Sequence, residues 1–345
     1  MSVYDLATRA LHLLPAETAH RVTVKALGLG LGPVDLSTPD PILQTSIAGI
    51  ELAHPLGLAA GFDKNAEAPD ALLRAGFGFV EVGAVTPRPQ AGNPKPRVFR
   101  LKEDKAVINR MGFNNEGLDA LKARLEARKG RGGVVGVNLG ANKDSDDRAA
   151  DYAHLLGALS GLADFFTVNI SSPNTPGLRG LQSGGALDAL LQRVTDTRWA
   201  EPVFLKVAPD LEEGAVETIL EAVSRYTLSG LIVSNTTVAR PDTLKSPHAQ
   251  ETGGLSGQPL YVPSTEVLRA FRRAAGRDLA IIGVGGISSG ETAYAKIRAG
   301  ANALQLYSAL VYQGPGAVVR IRDELAACLK RDGFSSLSDA VGVDA

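Results

Sequence analysis

Phe165-Phe166-Thr167-Val168-Asn169-Ile170-Ser171-Ser172-Pro173-Asn174-Thr175-Pro176-Gly177-Leu178-Arg179 is the stretch that decides how the rest of the chain is read. It opens as an apolar strand, Phe165 to Ile170, and then turns abruptly polar. From Thr167 onward it carries two Asn, two Ser, two Thr and an Arg. A strand that only buries apolar surface needs no such crowd of amides and hydroxyls. Pro173 and Pro176 fix φ and remove backbone donors, so a rigid loop is expected after Ile170. Such a loop at a strand end is a common way to present a catalytic or binding site. A capped turn, with Asn and Ser satisfying backbone groups, would use the same residues. The other strands decide between the two.

Seven further apolar runs have the same character: Pro55–Ala60, Gly78–Val85, Val134–Leu139, Val203–Val207, Leu231–Ser234, Ala280–Val284 and Ala303–Tyr307. Near-continuous apolar runs are what parallel strands buried on both faces look like. Helical stretches separate them, at 65–75, 115–129, 149–162, 185–198, 213–225, 264–275 and 290–299, and another follows the last run at 315–330. Eight β–α units in succession predict a (β/α)8 (TIM) barrel, with a doubly wound open sheet as the alternative. The strand ends favour the barrel. In order they carry Asp63-Lys64-Asn65, Thr86, Asn138, Asn169, Lys206, Ser234-Asn235-Thr236, Gly285-Gly286 and Tyr307-Ser308. In a barrel these all meet on one rim, where active sites sit.

Residues 1–38 are organised differently. Leu6, Ala10, Leu13 and Leu14 share one helical face, and Pro15 starts a second helix with Ala19, Val22, Ala26 and Leu29 on one stripe. A two-helix extension (1–38) therefore precedes a barrel domain (39–345). It reads either as a cap over one end of the core or as a surface that dips into a membrane interface. Two insertions interrupt the repeat. Residues 87–114 contain a short strand candidate, Arg97–Leu101, and residues 237–262 contain Gly253-Gly254-Leu255-Ser256-Gly257. Long loops on a barrel rim act as lids or substrate walls.

Composition narrows the classes. The 345 residues are 44% hydrophobic and carry 36 basic against 37 acidic side chains, so there is no electrostatic footprint for nucleic acid. A single cysteine, Cys328, excludes an intramolecular disulfide and a cysteine-held metal cluster. No apolar run approaches the roughly 20 residues of a membrane span, and no signal-peptide pattern opens the chain.

The chemistry-bearing residues fall into three groups. Gly283-Val284-Gly285-Gly286 and Tyr307-Ser308, after strands seven and eight, stand where barrels bind phosphate. No dinucleotide fingerprint is present. Lys206 lies within an apolar strand and Lys64 just past one. A buried lysine needs an anionic partner or a lowered pKa, as a Schiff-base lysine of an aldolase or as a fixed cation beside an anionic cofactor and substrate, while Lys64 reads equally as a salt-bridge partner of Asp63 or a solvated turn residue. Asn109, Asn169, Asn174 and Asn235 offer paired donors and acceptors suited to a flat substrate with amide groups. No histidine stands at a strand end, which leaves Ser172 as the best-placed proton acceptor, provided the electrons have a strongly coupled destination.

Ala59-Ala60-Gly61-Phe62-Asp63-Lys64-Asn65, Gly83–Gln90, Asn109-Arg110-Met111-Gly112-Phe113-Asn114-Asn115, the opening stretch, Leu205–Asp210, Ser234–Thr237 and Gly253–Gly257 together resemble dihydroorotate dehydrogenase. The resemblance runs from the N-terminal helices to about residue 330 and is similar to the quinone-linked, membrane-associated second class. Serine stands at 172 where first-class enzymes carry cysteine, and the N-terminal helix pair matches that branch's quinone-docking extension.

The resemblance implies FMN as cofactor. Its phosphate would be held by Gly257, Gly286, Tyr307 and Ser308, and its ring would lie against Ala59, Ala60, Gly61, Phe62, Asp63, Thr86, Asn138, Asn169 and Ser234. Lys206 would stabilise the reduced ring. Dihydroorotate would be held by Lys64, Asn109, Arg110, Met111, Gly112, Phe113, Asn169, Asn174, Asn235 and Thr236. Ser172 would take the C5 proton, with Thr175 as a relay, while hydride leaves C6. A membrane quinone near His20 and Arg100 would reoxidise the flavin. The resemblance also implies orotate as product, a peripheral protein on the cytoplasmic side of the cell inner membrane, no metal, and a monomer. Ser234 stands where many relatives have Thr, which keeps the hydroxyl.

Overall fold

A computed structural model describes residues 3–175, 177–182 and 184–345. The chain opens with α1 (Val3–Leu11) and α2 (Ala16–Gly28), followed by a hairpin of β1 (Thr45–Ile47) and β2 (Ile50–Leu52). The repeat begins with β3 (Leu56–Leu58), α3 (Pro69–Arg74) and β4 (Phe79–Val85). The first insertion then contributes β5 (Val98–Leu101) and β6 (Ala106–Asn109). It continues through α4 (Gly117–Arg128), β7 (Val134–Leu139), α5 (Arg148–Leu159), β8 (Phe165–Asn169), α6 (Gly184–Thr195), β9 (Val203–Val207), α7 (Ala215–Arg225) and β10 (Gly230–Val233). After β11 (Gly254–Gly257) in the second insertion come α8 (Tyr261–Ala275), β12 (Ala280–Val284), α9 (Gly290–Arg298) and β13 (Ala303–Leu306). The chain ends in α10 (Ser308–Gln313), α11 (Ala317–Arg331) and α12 (Leu337–Ala340).

Eight parallel strands close in the order β10-β12-β13-β3-β4-β7-β8-β9. Closure rests on the β13–β3 pairing, with Leu304 opposite Leu56, and excludes the open sheet. The barrel interior is layered by the two-residue period of its strands. Phe79, Phe165, Phe204, Ile232, Ile282 and Ala303 form its lowest layer, and Ile47 and Leu52 of the hairpin plug that end. The rings need space from neighbouring strands: a Cβ on Gly57 or Gly136 would come within 2.4 or 2.1 Å of the Phe79 or Phe165 ring. Two residues further along the same strands stand Glu81, Thr167, Lys206, Ser234 and Gln305, all buried. An apolar floor thus carries a polar second storey, which opens toward the strand C-termini.

The hairpin lay outside the sequence expectation. Its strands are too short for a periodic signal, but Ala48 and Gly49 at φ 50° and 81° form the two-residue turn that antiparallel strands prefer. The two insertions also pair with each other: β11 runs antiparallel to β6, and β6 to β5, giving a small three-stranded sheet.

The helix pair departs from the expected stripe. α1 ends at Leu11, so Leu13 and Leu14 sit in the turn before Pro15, exposed, with Leu13 at 87%. The side chain of Leu6, and Pro176, lie outside what the structure describes. On α2 the buried residues are Ala19, Val24 and Leu27, while Val22 and Leu29 are exposed. The following segment is fastened to the back of the barrel by the buried Arg322, whose Nη1 lies 2.6 Å from Asp35 Oδ2. α2 itself is held by Arg97, which donates from Nε and Nη2 to Glu17 at 3.1 and 2.7 Å. Buried bidentate pairs of this kind fix geometry more than they add stability.

Candidate active site

The polar second storey forms one hydrogen-bonded network. Glu81, fully buried, accepts from Asn138 Nδ2 at 2.6 Å and from Gln305 Nε2 at 2.5 Å. Lys206 Nζ stands 3.8 Å from the same carboxylate. Asn138 Oδ1 in turn accepts from Asn169 Nδ2 at 2.8 Å. Asn169 Oδ1 accepts from Ser171 Oγ at 2.9 Å, and Asn235 Nδ2 donates to Ser171 Oγ at 2.9 Å. Tyr152, on α5, donates to the Asn169 carbonyl at 2.6 Å and so fixes the end of β8. Each amide is oriented by its neighbour, which leaves the free edges facing one way. Gln305 Oε1 is buried without a partner among the described residues.

Above this network lies a cavity of about 970 Å³ that runs without interruption from the barrel centre to the groove between α1 and α2. Its walls contain Ala59, Ala60, Gly61, Phe62, Lys64, Asn138, Asn169, Lys206, Ser234, Gly257, Gly286, Tyr307 and Ser308. They also contain Ser172, Asn109, Met111, Gly112, Phe113, Asn174, Asn235, Thr236, His20 and Arg100. Residues from all eight strand ends, both insertions and the helix pair therefore meet in one space.

Three side chains named from the sequence turn elsewhere. Asp63 accepts from the backbone N–H groups of Glu67 and Ala68, both at 2.8 Å, and so holds the turn into α3. Thr86 donates to the Arg88 carbonyl at 2.7 Å and accepts from Asn115 Nδ2 at 2.8 Å. Arg110 pairs with Glu251 at 2.8 Å and stacks 4.6 Å from the Phe99 ring centroid. None of the three lines the cavity. A ligand in the cavity would instead meet their neighbours Phe62, Lys64, Asn109 and Met111.

The loop after β8 is clasped from outside. Arg179 donates from Nε to the Ser171 carbonyl at 3.1 Å and from Nη2 to the Thr236 carbonyl at 2.9 Å, and it pairs with Asp210 at 2.8 Å. Ser172 is 7% exposed, and its Oγ accepts from the Asn174 N–H at 3.3 Å. Asn174 reaches the other wall, where Nδ2 donates to Asn109 Oδ1 at 3.3 Å. Thr175 is buried beside this loop.

Lys64 is half-buried and donates to the Gly61 carbonyl at 2.7 Å. Burial lowers its pKa to about 8, with the Glu17 carboxylate pulling the other way. Burial, reinforced by the Lys64 cation, lowers His20 to about 3. His20 is therefore neutral near pH 7, and its Nε2–H donates to the Phe62 carbonyl at 2.7 Å. His20, Phe62 and Tyr307 form an aromatic collar, with Phe62 5.4 Å from the His20 ring and 5.5 Å from the Tyr307 ring. Arg100 ties the turn after α1 in place through the Leu11 and Leu14 carbonyls.

At the other end of the cavity the backbone comes forward. Gly257 (φ 95°) and Gly286 (φ 72°) adopt left-handed conformations, and a Cβ on either would strike backbone, Lys105 O at 2.4 Å or Tyr261 Cα at 2.5 Å. Ser308 Oγ, at the start of α10, donates to Ser256 Oγ at 2.8 Å. A glycine-lined recess at a helix N-terminus suits a phosphate.

Glu81, Gln305 and Arg179 were missed from the sequence as site residues. A charge or amide inside an apolar strand, the signal that marked Lys206, was equally present at Glu81 and Gln305.

The dihydroorotate dehydrogenase family model matches residues 42–329. The dihydroorotate dehydrogenase (quinone) of Parvibaculum lavamentivorans is 56% identical over 346 residues, covering 100% of this chain and 99% of that protein. The same-named protein of Novosphingobium aromaticivorans is 53% identical, covering 99% of each. The crystal structure of ligand-free DHODH from Eimeria tenella superposes with a TM-score of 0.91 at 40% identity, covering 95% of this chain and 99% of that one. Because barrel, helix pair and sequence match together along nearly the whole chain, it belongs to the dihydroorotate dehydrogenase family, in its quinone-dependent branch.

Proposed function

We propose that the cavity oxidises (S)-dihydroorotate to orotate with FMN as cofactor and a membrane quinone as electron acceptor, the redox step of pyrimidine (UMP) biosynthesis. The observation that carries this reading is the single cavity joining a buried polar network to an apolar groove between two helices. The residues fit FMN. The recess at Gly257, Gly286, Tyr307 and Ser308 suits its phosphate, and the unpartnered Gln305 Oε1, with Lys206 held on the same Glu81 carboxylate, suits a ring with donors and a charge-accepting edge. When bound, FMN supplies the two-electron acceptor for the substrate hydride and the carrier to quinone.

The chain's own residues do the rest. Lys206, set by Glu81, places a fixed cation in the cavity floor, where negative charge develops. Lys64 offers an ammonium to the substrate carboxylate. Asn109, Asn174, Asn235 and Asn169, each held by another side chain, present amide edges to the pyrimidine. Ser172 Oγ accepts the C5 proton, and the clasped loop limits where it can move. Phe62, which precedes Asp63, Ala84, two residues before Thr86, and Met111, Gly112 and Phe113 close the walls.

The free Lys64 ammonium, lowered to about 8, is the form that binds a carboxylate. Below that pH the interaction is present, and it is lost as pH rises through it. kcat/KM for dihydroorotate is therefore expected to fall above about pH 8, and Lys64→Met should remove that limb along with most of the affinity.

Residues 1–38 form, in this reading, a docking unit distinct from the catalytic barrel of 39–345. Among the described residues no helix is long and apolar enough to cross a membrane. Instead Leu13, Leu14, Val22 and Leu31, around the cavity mouth between α1 and α2, are exposed, up to 87% at Leu13. Such a face suits peripheral insertion at the cytoplasmic side of the inner membrane by a monomer, with quinone passing His20 and Arg100 toward the floor. Deleting residues 2–32, which leaves Asp35 to pair with Arg322, should spare flavin reduction by dihydroorotate. Quinone turnover and vesicle binding should fall steeply. Full quinone turnover in the truncated protein, or turnover with fumarate or NAD in place of quinone, would contradict the reading.

A further inference from the structure

Behind the glycine recess, on the side away from the cavity, lies a lysine that the reaction leaves unused. Lys296, on α9, is fully buried. Its Nζ donates to Ser264 Oγ at 2.9 Å and Thr265 Oγ1 at 3.0 Å, and stands 5.5 Å from the Tyr261 ring centroid. Both hydroxyls then donate to the Tyr261 carbonyl, at 3.1 and 2.6 Å.

No carboxylate pairs with this ammonium among the described residues. The Tyr261 phenol is the titratable group of α8 that faces it. Arg272, further along α8, is turned to the Gly300 carbonyl and Asn302. From α11, Glu324 accepts from the Gly290 N–H, and Asp332 just past its end is taken up by Tyr294 and Arg298. Burial alone lowers Lys296 to about 7. A buried cation with hydroxyl partners only is costly unless an anion comes close.

The first turn of α8, which Lys296 grips, is also the back wall of the recess. Ser264 Oγ lies 3.3 Å from the Gly285 carbonyl. A Cβ on Gly285 would meet Ser264 Oγ at 2.6 Å, and one on Gly286 would meet the Tyr261 backbone N at 2.7 Å. Lys296 therefore stands one side-chain layer behind Gly285-Gly286, linked to them through Ser264.

We propose that Lys296 is the buried counter-charge of the cofactor phosphate, setting the affinity of the glycine recess for a phosphate ester through the first turn of α8. This rests on the FMN reading above. Lys296 touches neither the cofactor nor the reacting atoms. Its effect is electrostatic, carried across a buried layer where a charge acts further than in water.

Riboflavin, which has the same ring and no phosphate, separates this role from a structural one. The full-length chain, freed of flavin, is titrated with FMN and with riboflavin, and binding is read by flavin fluorescence. Lys296→Met should weaken FMN about tenfold or more while riboflavin changes less than about twofold. Lys296→Arg, which keeps the charge, should restore most of the FMN affinity. If the Met variant does not fold, Lys296→Gln, which can still reach both hydroxyls, takes its place with the same expectation. Equal weakening of both flavins would assign Lys296 to helix packing, and an unchanged ratio of affinities would equally overturn the proposal. A wild-type chain that binds neither flavin would instead sink the FMN reading, and the proposal with it.

Discussion

Ser172→Ala yields a protein that keeps its FMN but is reduced by dihydroorotate about 10²–10⁴-fold more slowly, the range expected when a positioned proton acceptor is removed. The loss is this large because the other acids and bases of the described walls are engaged elsewhere, Glu17 with Arg97 and His12 with the Val311 carbonyl. His20 lies at the far collar, bonded to the Phe62 carbonyl. The Glu81 carboxylate lies beneath the floor, bonded to Asn138 and Gln305. Serine is a poor base, so its contribution depends on placement. Arg179 supplies that placement by tying the Ser171 carbonyl to the Thr236 carbonyl and to Asp210. Arg179→Ala should therefore lower the same rate constant by a smaller factor and leave FMN content unchanged. Stopped-flow measurement of flavin bleaching under argon distinguishes the two variants from loss of cofactor, and unchanged bleaching in Ser172→Ala would remove Ser172 from its role.

Lys206→Met should cost the protein both stability and cofactor. Glu81 is fully buried, and its charge is balanced by Lys206 at 3.8 Å and two amide donors. Removing one partner of a buried ion pair strands the other, at a cost of about 3–5 kcal/mol. In the proposed function the floor also loses the cation assigned to the flavin ring. The double variant Lys206→Met, Glu81→Gln removes the stranded charge, so it should recover most of the unfolding free energy without recovering turnover. Thermal unfolding and flavin content, measured side by side, test this. Equal stability of the single and double variants would show that Glu81 is not held as the network indicates.

The barrel was legible in the sequence because parallel strands buried on both faces are continuous apolar runs, and β7, β9 and β12 fall where those runs do. Lys206 was legible because a charge inside such a run has to be explained. Glu81 and Gln305 carried the same signal, but each lies inside its strand, ahead of the polar residues that mark that strand's end. Ala19, Val22 and Ala26 of the expected α2 stripe share the cavity wall, and only Leu29 falls outside it. The helix's apolar residues serve two environments, Val24 facing the core, Val22 and Ala26 lining the cavity and Leu27 touching both, so burial alone does not describe it. Asp63, Thr86 and Arg110 were correctly placed at the rim by chain position. Which way their side chains turn depends on Ala68, Asn115 and Glu251, partners that strand periodicity does not specify. The pairing of β6 with β11 joins segments too far apart in sequence for local pattern to reveal.

The most direct test of the account is a half-reaction. The purified full-length protein should be yellow. Mixed anaerobically with dihydroorotate, its flavin band should bleach with one orotate formed per flavin, and a quinone added afterward should restore the band. A colourless protein, or a flavin band that dihydroorotate leaves unbleached, would contradict the account.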